Sequence, residues 1–495
     1  VCLLERFTSD IKAAVQKSLS SMLMSKTRFL PVIFGGSTSL LSKLKHDIRK
    51  YRAVQVKYKT MSSDRSDVIV LCPFSKENKN RMEGLRRCPT VQVKKVIFSN
   101  IQGKETLKDY VERAKQIVKN ENVNIVLPTG DLCTFVHAAI ARDFPHIPGP
   151  SVESCYLAFH KAYTRQYLDP SENPTPYDIL DLDSPTLSED AERALAKVGL
   201  PAFVKPATGF DTFGVKKVES VEEMKLALQN LQTTMEEDAG FLSAPSAAFF
   251  RDYFKQYLDV EKYPLATRDV VIVEPYVDAE ALCTADGCIV DKRIVHFAIT
   301  DELRFDHREA KFMSVISPTS EPEGVQRRMW ELYDGVMNRM IQFGFNNGVT
   351  DIEVFKKKDG QLMLCEVNAR GSSFLRGVYD VSHENLNQDY VYLSAGYGIQ
   401  SATPTLTGRF AIAYPVKFWG VDNPGSEELM DFDQFKKLKS DPDVRFVREA
   451  GPGHFSILLF TYGDTRESMM EKLVDVLKVV VKKPEQLAYP VQYGM

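Results

Sequence analysis

Residues 350–370 read TDIEVFKKKDGQLMLCEVNAR, and the register of two paired strands can be derived directly from this stretch. Asp359 and Gly360 form a strong two-residue hairpin signal, since both tolerate the positive φ that a type I′ turn requires. With that turn, Lys358 faces Gln361 and the position of every other cross-strand pair follows. The stretch therefore predicts a β-hairpin of known register.

In this register Glu353 lies opposite Glu366, and Asp351 lies opposite Asn368. Side chains two apart on a strand share a face, so three carboxylates and one amide form a single oxygen-rich patch. The other face is apolar and predicts a buried surface that consists of Ile352, Val354, Met363, Cys365 and Val367.

Two carboxylates whose Cβ atoms lie about 5 Å apart repel each other, so the sheet needs a compensating charge there. Hard oxygen ligands in this arrangement suit Mg²⁺, which is usually shared between one or two carboxylates and substrate phosphates. The alternative is a solvated hairpin face on which the glutamates lean apart. The stretch alone leaves both interpretations open.

The composition is that of a soluble globular protein, with 44% apolar and 26% charged residues. A length of 495 residues predicts two to four domains. The formal net charge of -3 gives no sign of a nucleic-acid or membrane partner. The eight cysteines are scattered, and no apolar run approaches the roughly 20 residues of a membrane span. We therefore expect a cytoplasmic protein with reduced thiols.

The N-terminal part of the chain reads as a helix followed by a Rossmann-like domain. Apolar residues at helical spacing predict an amphipathic helix over residues 1–28. Over residues 29–150, short β-rich runs alternate with helical segments, which is typical of parallel α/β layers. These runs are LPVIFGGS, DVIVLCPF, KKVIFSN and NIVLPTGD. The turn at Gly35-Gly36 resembles a nucleotide-binding loop, but a tight strand-to-helix turn explains it better.

HIPGPS at residues 146–151 marks a boundary, after which we expect a second domain over residues 151–400. Within it, residues about 200–275 predict a smaller subdomain that contains a strand, a glycine-containing loop and further strands. Residues 232–268 read as a helical insertion whose aromatic residues suit either a lid over the site or a packed surface helix; these are Phe249, Phe250, Tyr253, Phe254 and Tyr257. Residues 401–495 predict a small α+β domain.

The ordered set of motifs resembles the ATP-grasp superfamily over roughly residues 30–400. The set consists of a lysine before a linker, a strand that ends in Lys-Pro ahead of a glycine-containing loop, a Val-Glu-Pro-Tyr bend, and Glu followed by Glu-x-Asn-x-Arg on a hairpin. The segment after residue 400 resembles the C-terminal domain of the carboxylate–amine ligase branch, which includes L-amino-acid ligases and carnosine synthases. The resemblance implies an α/β and α+β multidomain protein: a Rossmann-like domain, an ATP-grasp domain and a small α+β domain.

The resemblance also implies which residues bind ATP. Lys161 and Lys205 would reach the phosphates as mobile point charges, under a loop that holds Gly209 and Gly214. The remaining implied contacts are Glu274, Tyr276 and Val277 at the adenine, Glu280 at the ribose, and Lys311 at the phosphates. The alternative for Lys161 is a solvated helix face, and the alternative for Glu280 is an ordinary strand-end acid. The loop departs from the family because it has only two glycines and carries Phe210, Asp211 and Phe213.

By the same resemblance Glu353, Glu366 and Asn368 would hold two Mg²⁺ ions, with Mn²⁺ as an alternative. Arg370 and Lys205 would act on the reacting phosphoryl group, because the fork of Arg370 suits phosphate and carboxylate oxygens. Substrate contacts would come from Arg304, His307, Arg308, Ser372 and Ser373. A solvated basic turn explains the first three equally well.

The resemblance implies an ADP-forming ligase that joins a small carboxylic acid to a small amine or amino acid through an acyl phosphate. Two alternatives remain open from the sequence. One is a ligase that joins an amino acid to a non-amino-acid molecule, and the other is a synapsin-like module that binds nucleotide without turnover. Dimers are common in the resembled families, but the sequence reveals no interface.

Overall fold

The computed structural model describes residues 66–487 except 78, 89, 170–174, 210–213, 237–246, 304–313, 372–374, 385–392, 394–395, 399–403, 417, 419–427 and 449–456. The chain divides into two compact units, Val1–Arg65 and Ser66–Met495, and the description concerns the second unit. The helix predicted over residues 1–28 and the turn at Gly35-Gly36 lie outside the described residues. Among the described helices, none combines the length and the hydropathy needed to cross a lipid bilayer.

The second unit begins with a parallel three-stranded sheet, as the sequence predicts. Its elements are β1 (Asp67–Cys72), α1 (Lys79–Arg86), β2 (Gln92–Phe98), α2 (Leu107–Glu121), β3 (Ile125–Val126) and α3 (Asp131–Asp143). β1 lies between β2 and β3 and is parallel to both. α2 begins at a capping box in which Thr106 and Asp109 bond each other's backbone N–H groups. Asp131, the first residue of α3, follows the carboxyl end of β3.

A four-stranded antiparallel sheet, the small sheet, follows. Its region contains α4 (Val152–Phe159), α5 (Lys161–Tyr163), a π-helical turn (Thr164–Leu168), β4 (Asp178–Asp181), α6 (Leu187–Val198), β5 (Ala202–Pro206), β6 (Lys216–Val218), α7 (Val221–Glu236), α8 (Ala247–Tyr257), a 3₁₀ turn (Pro264–Thr267) and β7 (Val270–Pro275). The strand order is β4-β7-β5-β6. Val204 and Val273 pack with residues of α6 and α7 in one core, so the neighbouring side chains of Lys205 and Glu274 lie on the opposite face.

The aromatic residues of α8 form part of the protein core. Phe250, Tyr253 and Phe254 are at most 1% exposed and contact Phe135 of α3 edge-on. The hydroxyl of Tyr253 donates to the carbonyl oxygen of Phe135 at 2.6 Å. This helix is therefore packed rather than a lid, because lifting it would expose several large rings to water.

The large sheet has eight strands in the order β12-β11-β8-β9-β10-β15-β17-β16. Its first elements are β8 (Ala279–Val290), β9 (Arg293–Leu303), β10 (Ser314–Ser317), α9 (Glu323–Gln342), β11 (Gly348–Lys357) and β12 (Leu362–Asn368). The remaining elements are α10 (Leu375–Ser382), β13 (His383–Glu384), β14 (Thr405–Leu406), β15 (Phe410–Val416), α11 (Phe432–Leu438), β16 (Val444–Arg448), β17 (Ile457–Gly463), α12 (Arg466–Val480) and a 3₁₀ turn (Pro484–Gln486). β13 and β14 pair separately.

The predicted C-terminal α+β segment does not form a sheet of its own. Its first strand in the large sheet, β15, pairs antiparallel with β10, and β17 and β16 continue the ladder outward. β15, β17 and β16 therefore extend the sheet that carries the acidic hairpin.

The turn of the acidic hairpin differs from the predicted two-residue type I′ turn. Lys357 and Gln361 close a three-residue loop, since the N–H of Lys357 donates to the oxygen of Gln361 at 2.9 Å. Only Gly360 in this loop has a positive φ, of 79°. The longer loop shifts the pairing by one residue, and Val354 lies opposite Leu364.

A β-bulge then restores the predicted register. Glu353 lies opposite Glu366 although Val354 lies opposite Leu364, so β12 carries one extra residue, Cys365. The expectation that Met363 and Cys365 face the core is wrong. Between the three-residue loop and the bulge, the residues of β12 point to the opposite faces from those predicted. Leu364 takes that place and is 4% exposed in the main core.

Candidate functional site

The predicted carboxylate pair is present on the hairpin. Glu353 lies directly opposite Glu366, and Asp351 lies directly opposite Asn368. The side chain of Glu366 is 28% exposed, whereas Asp351 is 1% exposed and lies deeper in the protein. The hairpin thus presents two glutamates near solvent above a buried aspartate.

Asp351 fixes the orientation of the Asn368 amide. Nδ2 of Asn368 donates to Oδ1 of Asp351 at 2.7 Å, so the amide oxygen of Asn368 points away from Asp351. Burial raises the pKa of Asp351 well above its ordinary value; the charge of Arg370 opposes this shift and that of Asp286 adds to it. Asp286 lies opposite Asp351 on β8 and accepts a hydrogen bond from the hydroxyl of Tyr379 at 2.8 Å.

Lys161 connects the hairpin with the glycine-containing loop. Its Nζ lies 2.7 Å from Oε1 of Glu366 and donates to the carbonyl oxygen of Gly209 at 2.8 Å. Its backbone N–H donates to the oxygen of Ala207 at 2.9 Å. Burial raises the pKa of Glu366, but the charge and hydrogen bond of Lys161 together with the charges of Arg370 and Lys205 outweigh burial, and the net shift is downward. Lys161 is therefore not on a solvated helix face.

Glu274 is held between two cations. Its Oε1 accepts from Nε of Arg165 at 2.6 Å, and its Oε2 accepts from Nζ of Lys205 at 2.8 Å. The Glu274 side chain is 4% exposed. Burial favours its neutral form, yet the opposing charges of Arg165 and Lys205 hold the pKa of Glu274 below its ordinary value. Both carboxylate oxygens of Glu274 are thus occupied by protein contacts.

Arg370 lies between α3 and β11, which are far apart in the sequence. Its Nε donates to Oδ2 of Asp131 at 3.0 Å, and its Nη1 lies 3.5 Å from Oδ2 of Asp351. Asp131 belongs to the first turn of α3. The guanidinium therefore joins the parallel sheet region to the acidic hairpin.

The residues predicted to meet the base and the ribose lie at the end of β7 and the start of β8. The N–H of Tyr276 donates to the oxygen of Pro201 at 2.8 Å, and the ring lies 5.5 Å from that of Phe203. The oxygen of Val277 accepts from the N–H of Ala279 at 2.9 Å. Glu280 is exposed and lies 3.5 Å from Nζ of Lys356.

Gly214 ends the glycine-containing loop with φ at +67°. A Cβ atom there would lie 2.5 Å from Cδ2 of Leu231 and 2.9 Å from Cγ of Pro206, so no larger residue fits. The other predicted residues lie outside the described residues; these are Phe210, Asp211, Phe213, Arg304, His307, Arg308, Lys311, Ser372 and Ser373.

The hairpin suits a magnesium ion that a phosphate completes. Within the described part of the chain, no group of three or more His, Cys, Asp or Glu side chains comes together as a metal site. Glu353, Glu366 and Asn368 supply two carboxylates and one amide oxygen, which is an incomplete set for an all-protein site. Mg²⁺ is normally bound by one or two carboxylates with phosphate and water. The donor set therefore fits Mg²⁺ that arrives with a nucleotide.

Several solved structures of known enzymes have a similar fold. An L-amino acid ligase from Bacillus licheniformis matches with a TM-score of 0.64 at 15% identity, over 84% of this chain and 98% of that chain. An N5-carboxyaminoimidazole synthase from Aspergillus clavatus, solved with ADP and 5-aminoimidazole ribonucleotide, matches with 0.57 at 14% identity, over 83% and 98%. The biotin carboxylase domain of the Hydrogenobacter thermophilus 2-oxoglutarate carboxylase, solved with MgADP and bicarbonate, matches with 0.59 at 14% identity, over 84% and 91%.

The chain therefore shares the overall fold of these solved structures, which is the ATP-grasp fold. The fold class that the motifs predict is thereby confirmed. No protein-family model matches the chain, and no curated protein sequence matches it either.

Sequence reasoning missed three residues that the structure brings to this site. Arg165 carried a signal, because it lies four residues after Lys161 and so one helical turn away. Asp131 ends the run NIVLPTGD, where a strand leads into a helix. Asp286 lies in β8, and no short motif marks it.

Proposed function

We propose that the protein is an ATP-dependent, ADP-forming ligase that joins a carboxylic acid to an amine. The observation that carries this proposal is the pair Glu353 and Glu366, directly opposed on the hairpin with Lys161 at 2.7 Å from Glu366. This arrangement offers both ligands for a nucleotide-bound cation and a positive charge for its phosphates. The ATP-grasp fold supports the same conclusion.

In the proposed reaction, an oxygen of the substrate carboxylate attacks the γ-phosphorus of ATP and ADP leaves. The nitrogen of the amine then attacks the acyl carbon, phosphate departs, and the nitrogen loses a proton. Neither step requires a nucleophile from the protein. Positioning and charge neutralisation provide most of the rate in such phosphoryl transfers.

The residues of the chain divide this work between them. Lys161 and Lys205 neutralise phosphate charge, and Arg370 stabilises the acyl phosphate by its planar fork. Glu353, Glu366 and Asn368 hold the magnesium ions, which when bound shield the charge that spreads over the phosphoryl oxygens. The loop that contains Gly209 and Gly214 closes over the phosphates and excludes water, to which acyl phosphates are labile.

Further parts of the site belong to the same proposal. Residues of the β7 end, Glu274 to Val277, meet the adenine, and Glu280 meets the ribose. Lys311 contacts the phosphates, and Arg304, His307, Arg308, Ser372 and Ser373 contact the acid or the amine. The domains proposed are residues 29–150, 151–400 and 401–495.

We further propose that the product is a dipeptide-like or amino-acid conjugate. Support comes from the L-amino acid ligase, which has the highest TM-score of the three structures described above. The biotin carboxylase domain, which was solved with bicarbonate, makes bicarbonate an acid that must be included in the tests.

The experiment is a screen for nucleotide products with pairs of acids and amines. Purified protein with Mg²⁺ and ATP is incubated with amino-acid mixtures, single carboxylic acids and bicarbonate, and ADP and AMP are measured. We expect ADP release that requires both an acid and an amine. Release of AMP, or no ADP with any pair despite tight ATP binding, would contradict the ligase.

A further inference from the structure

Arg165 makes two directed contacts from one guanidinium group. Its Nε donates to Oε1 of Glu274 at 2.6 Å, and its Nη2 donates to the carbonyl oxygen of Cys365 at 2.8 Å. The Arg165 side chain is 6% exposed. The planar fork therefore bridges β7 of the small sheet and β12 of the large sheet in a site that excludes most water.

The Cys365 contact falls on the bulge that determines where Glu366 points. If the same residues formed a regular ladder without the bulge, the register of Val354 opposite Leu364 would continue, and Cys365 would lie opposite Glu353. Glu366 would then lie opposite Ile352 and point into the apolar core. The bulge returns Glu366 to the face of Glu353.

Two consecutive short helical segments, α5 and the π-helical turn, each supply one residue that holds this bulge. Lys161 and Arg165 are four residues apart, and Lys161 binds the carboxylate of Glu366 while Arg165 binds the carbonyl group of the preceding residue. Among the described strands, β12 lies at the edge of the large sheet and pairs with β11 alone. Lys161 and Arg165 therefore hold β12 at the point where its pairing with β11 is irregular.

We propose that Arg165 is a positioning residue for the magnesium ligands: its fork ties Glu274 to the Cys365 carbonyl and so holds Glu366 opposite Glu353. This inference rests on the proposed function, because it assigns Glu366 to a metal ion. It predicts that Arg165 affects the magnesium-dependent part of nucleotide binding more than the part that needs no metal.

The first test is Arg165→Lys, measured by calorimetric titration of ADP with and without Mg²⁺. Lysine keeps the charge beside Glu274, but its single nitrogen cannot reproduce two donors held in a rigid fork. We expect the affinity for metal-free ADP to stay within about threefold of the wild type. The gain in affinity that Mg²⁺ provides should fall by roughly tenfold or more, as for other residues that orient metal ligands.

Arg113→Lys is the matched control. Arg113 also donates from Nε to a carboxylate, Glu105 at 2.7 Å, and from Nη2 to a backbone oxygen, that of Asn100 at 2.8 Å. It belongs to α2, outside the site. We expect Arg113→Lys to leave both ADP affinities unchanged.

A second pair of variants keeps the test valid if Arg165→Lys folds poorly. Glu274→Gln is compared with the double variant Arg165→Gln, Glu274→Gln. The double variant removes both charges of the Arg165–Glu274 ion pair, so neither charge remains buried alone. Since the Glu274 carboxylate is absent from both, the difference reports the loss of the Arg165 guanidinium, including its bond to the Cys365 carbonyl oxygen. We expect the double variant to lose a further tenfold or so of the magnesium-dependent gain.

Four outcomes are decisive. An equal loss of affinity with and without Mg²⁺, or an unchanged magnesium gain in both variants of Arg165, overturns the inference alone. A wild-type protein whose ADP affinity does not respond to Mg²⁺ overturns the proposed function and this inference with it. A selective loss of the magnesium gain supports the inference.

Discussion

At the residue scale, Glu366 has contacts that predict a specific failure. It faces Glu353 and binds Lys161, and Glu366→Gln removes the negative charge while keeping the shape of the side chain. We expect loss of ADP formation and a weaker magnesium dependence of nucleotide binding, with an unchanged circular dichroism spectrum.

Glu121→Gln serves as the control for this prediction, because Glu121 forms an exposed pair with Lys95 and should tolerate the same change. Full turnover in Glu366→Gln would mean that another carboxylate holds the metal.

Glu274 predicts a dependence of stability on pH. Its ordinary pKa is 4.5, and the folded protein holds the pKa below that value. The stability that Glu274 provides is therefore fully present above about pH 4.5 and declines as the pH falls toward the folded pKa, by up to about 1.4 kcal/mol per pH unit. Glu274→Gln breaks a buried ion pair and should lower the free energy of unfolding by about 3–5 kcal/mol at pH 7.

Urea unfolding at pH 7 and at pH 4 checks this prediction. The difference between the wild type and Glu274→Gln should shrink at pH 4, whereas Glu219→Gln, at an exposed side chain, should show a small difference at both values. A difference that grows at pH 4 would show that the pKa of Glu274 is raised rather than lowered.

Much of this site follows from the sequence because its central residues lie in one short hairpin. The pairing of Glu353 with Glu366 follows from the hairpin register, and it is retained because the longer loop and the bulge offset each other. Asp131 and Arg165 could not be placed from the sequence, since their contacts with Arg370 and Cys365 span 239 and 200 residues of sequence and depend on how separate sheets meet.

At the scale of elements, the loop at Gly360 can be tested directly. Gly360 has φ at +79°, and an added Cβ atom would meet nothing within 4 Å. Any effect of substitution there is thus backbone strain. Gly360→Val should lower the free energy of unfolding by about 1–2 kcal/mol, because β-branched residues disfavour positive φ.

Gly360→Asn should lower it by less than half as much, since Asn tolerates this region. Thermal unfolding of both variants provides the measurement. Equal stability of Gly360→Val and the wild type would contradict the turn geometry.

The turns show why element boundaries were harder to predict than the elements. The sequence predicts a type I′ turn at Asp359-Gly360, where the structure has a three-residue loop instead. Two consecutive residues with positive φ occur in a different hairpin, at Asp291 and Lys292 between β8 and β9. That turn contains no glycine and gives no local signal. The predicted pairing of Glu353 with Glu366 was nevertheless confirmed, because the longer loop and the bulge at Cys365 offset each other.

At the scale of the whole molecule, Asp301 joins the C-terminal helix to the large sheet. Asp301 of β9 accepts from Nη1 of Arg466 at 2.5 Å and from the N–H and hydroxyl of Ser320 at 3.0 and 2.8 Å. Since Asp301 is 7% exposed, Arg466→Met should lower the free energy of unfolding by about 1.5–3 kcal/mol, as for other hydrogen bonds to charged groups.

Arg409→Met is the control, because Arg409 binds Asp443 and Asp464 at a more exposed position and should contribute less than about 1 kcal/mol. Chemical denaturation of both variants decides the matter. A larger loss in Arg409→Met would contradict the role given to Asp301.

The unbroken ladder from β12 to β16 also limits how this protein can be recombined with its structural relatives. A foreign C-terminal segment grafted after residue 404 would have to supply a strand that matches β10 residue by residue, since β15 pairs with it at Val315, Ile316 and Ser317. A segment chosen only for its own ability to fold would leave β10 as a bare edge, prone to join other chains. Exchange of the whole C-terminal segment therefore risks an exposed strand edge in this protein.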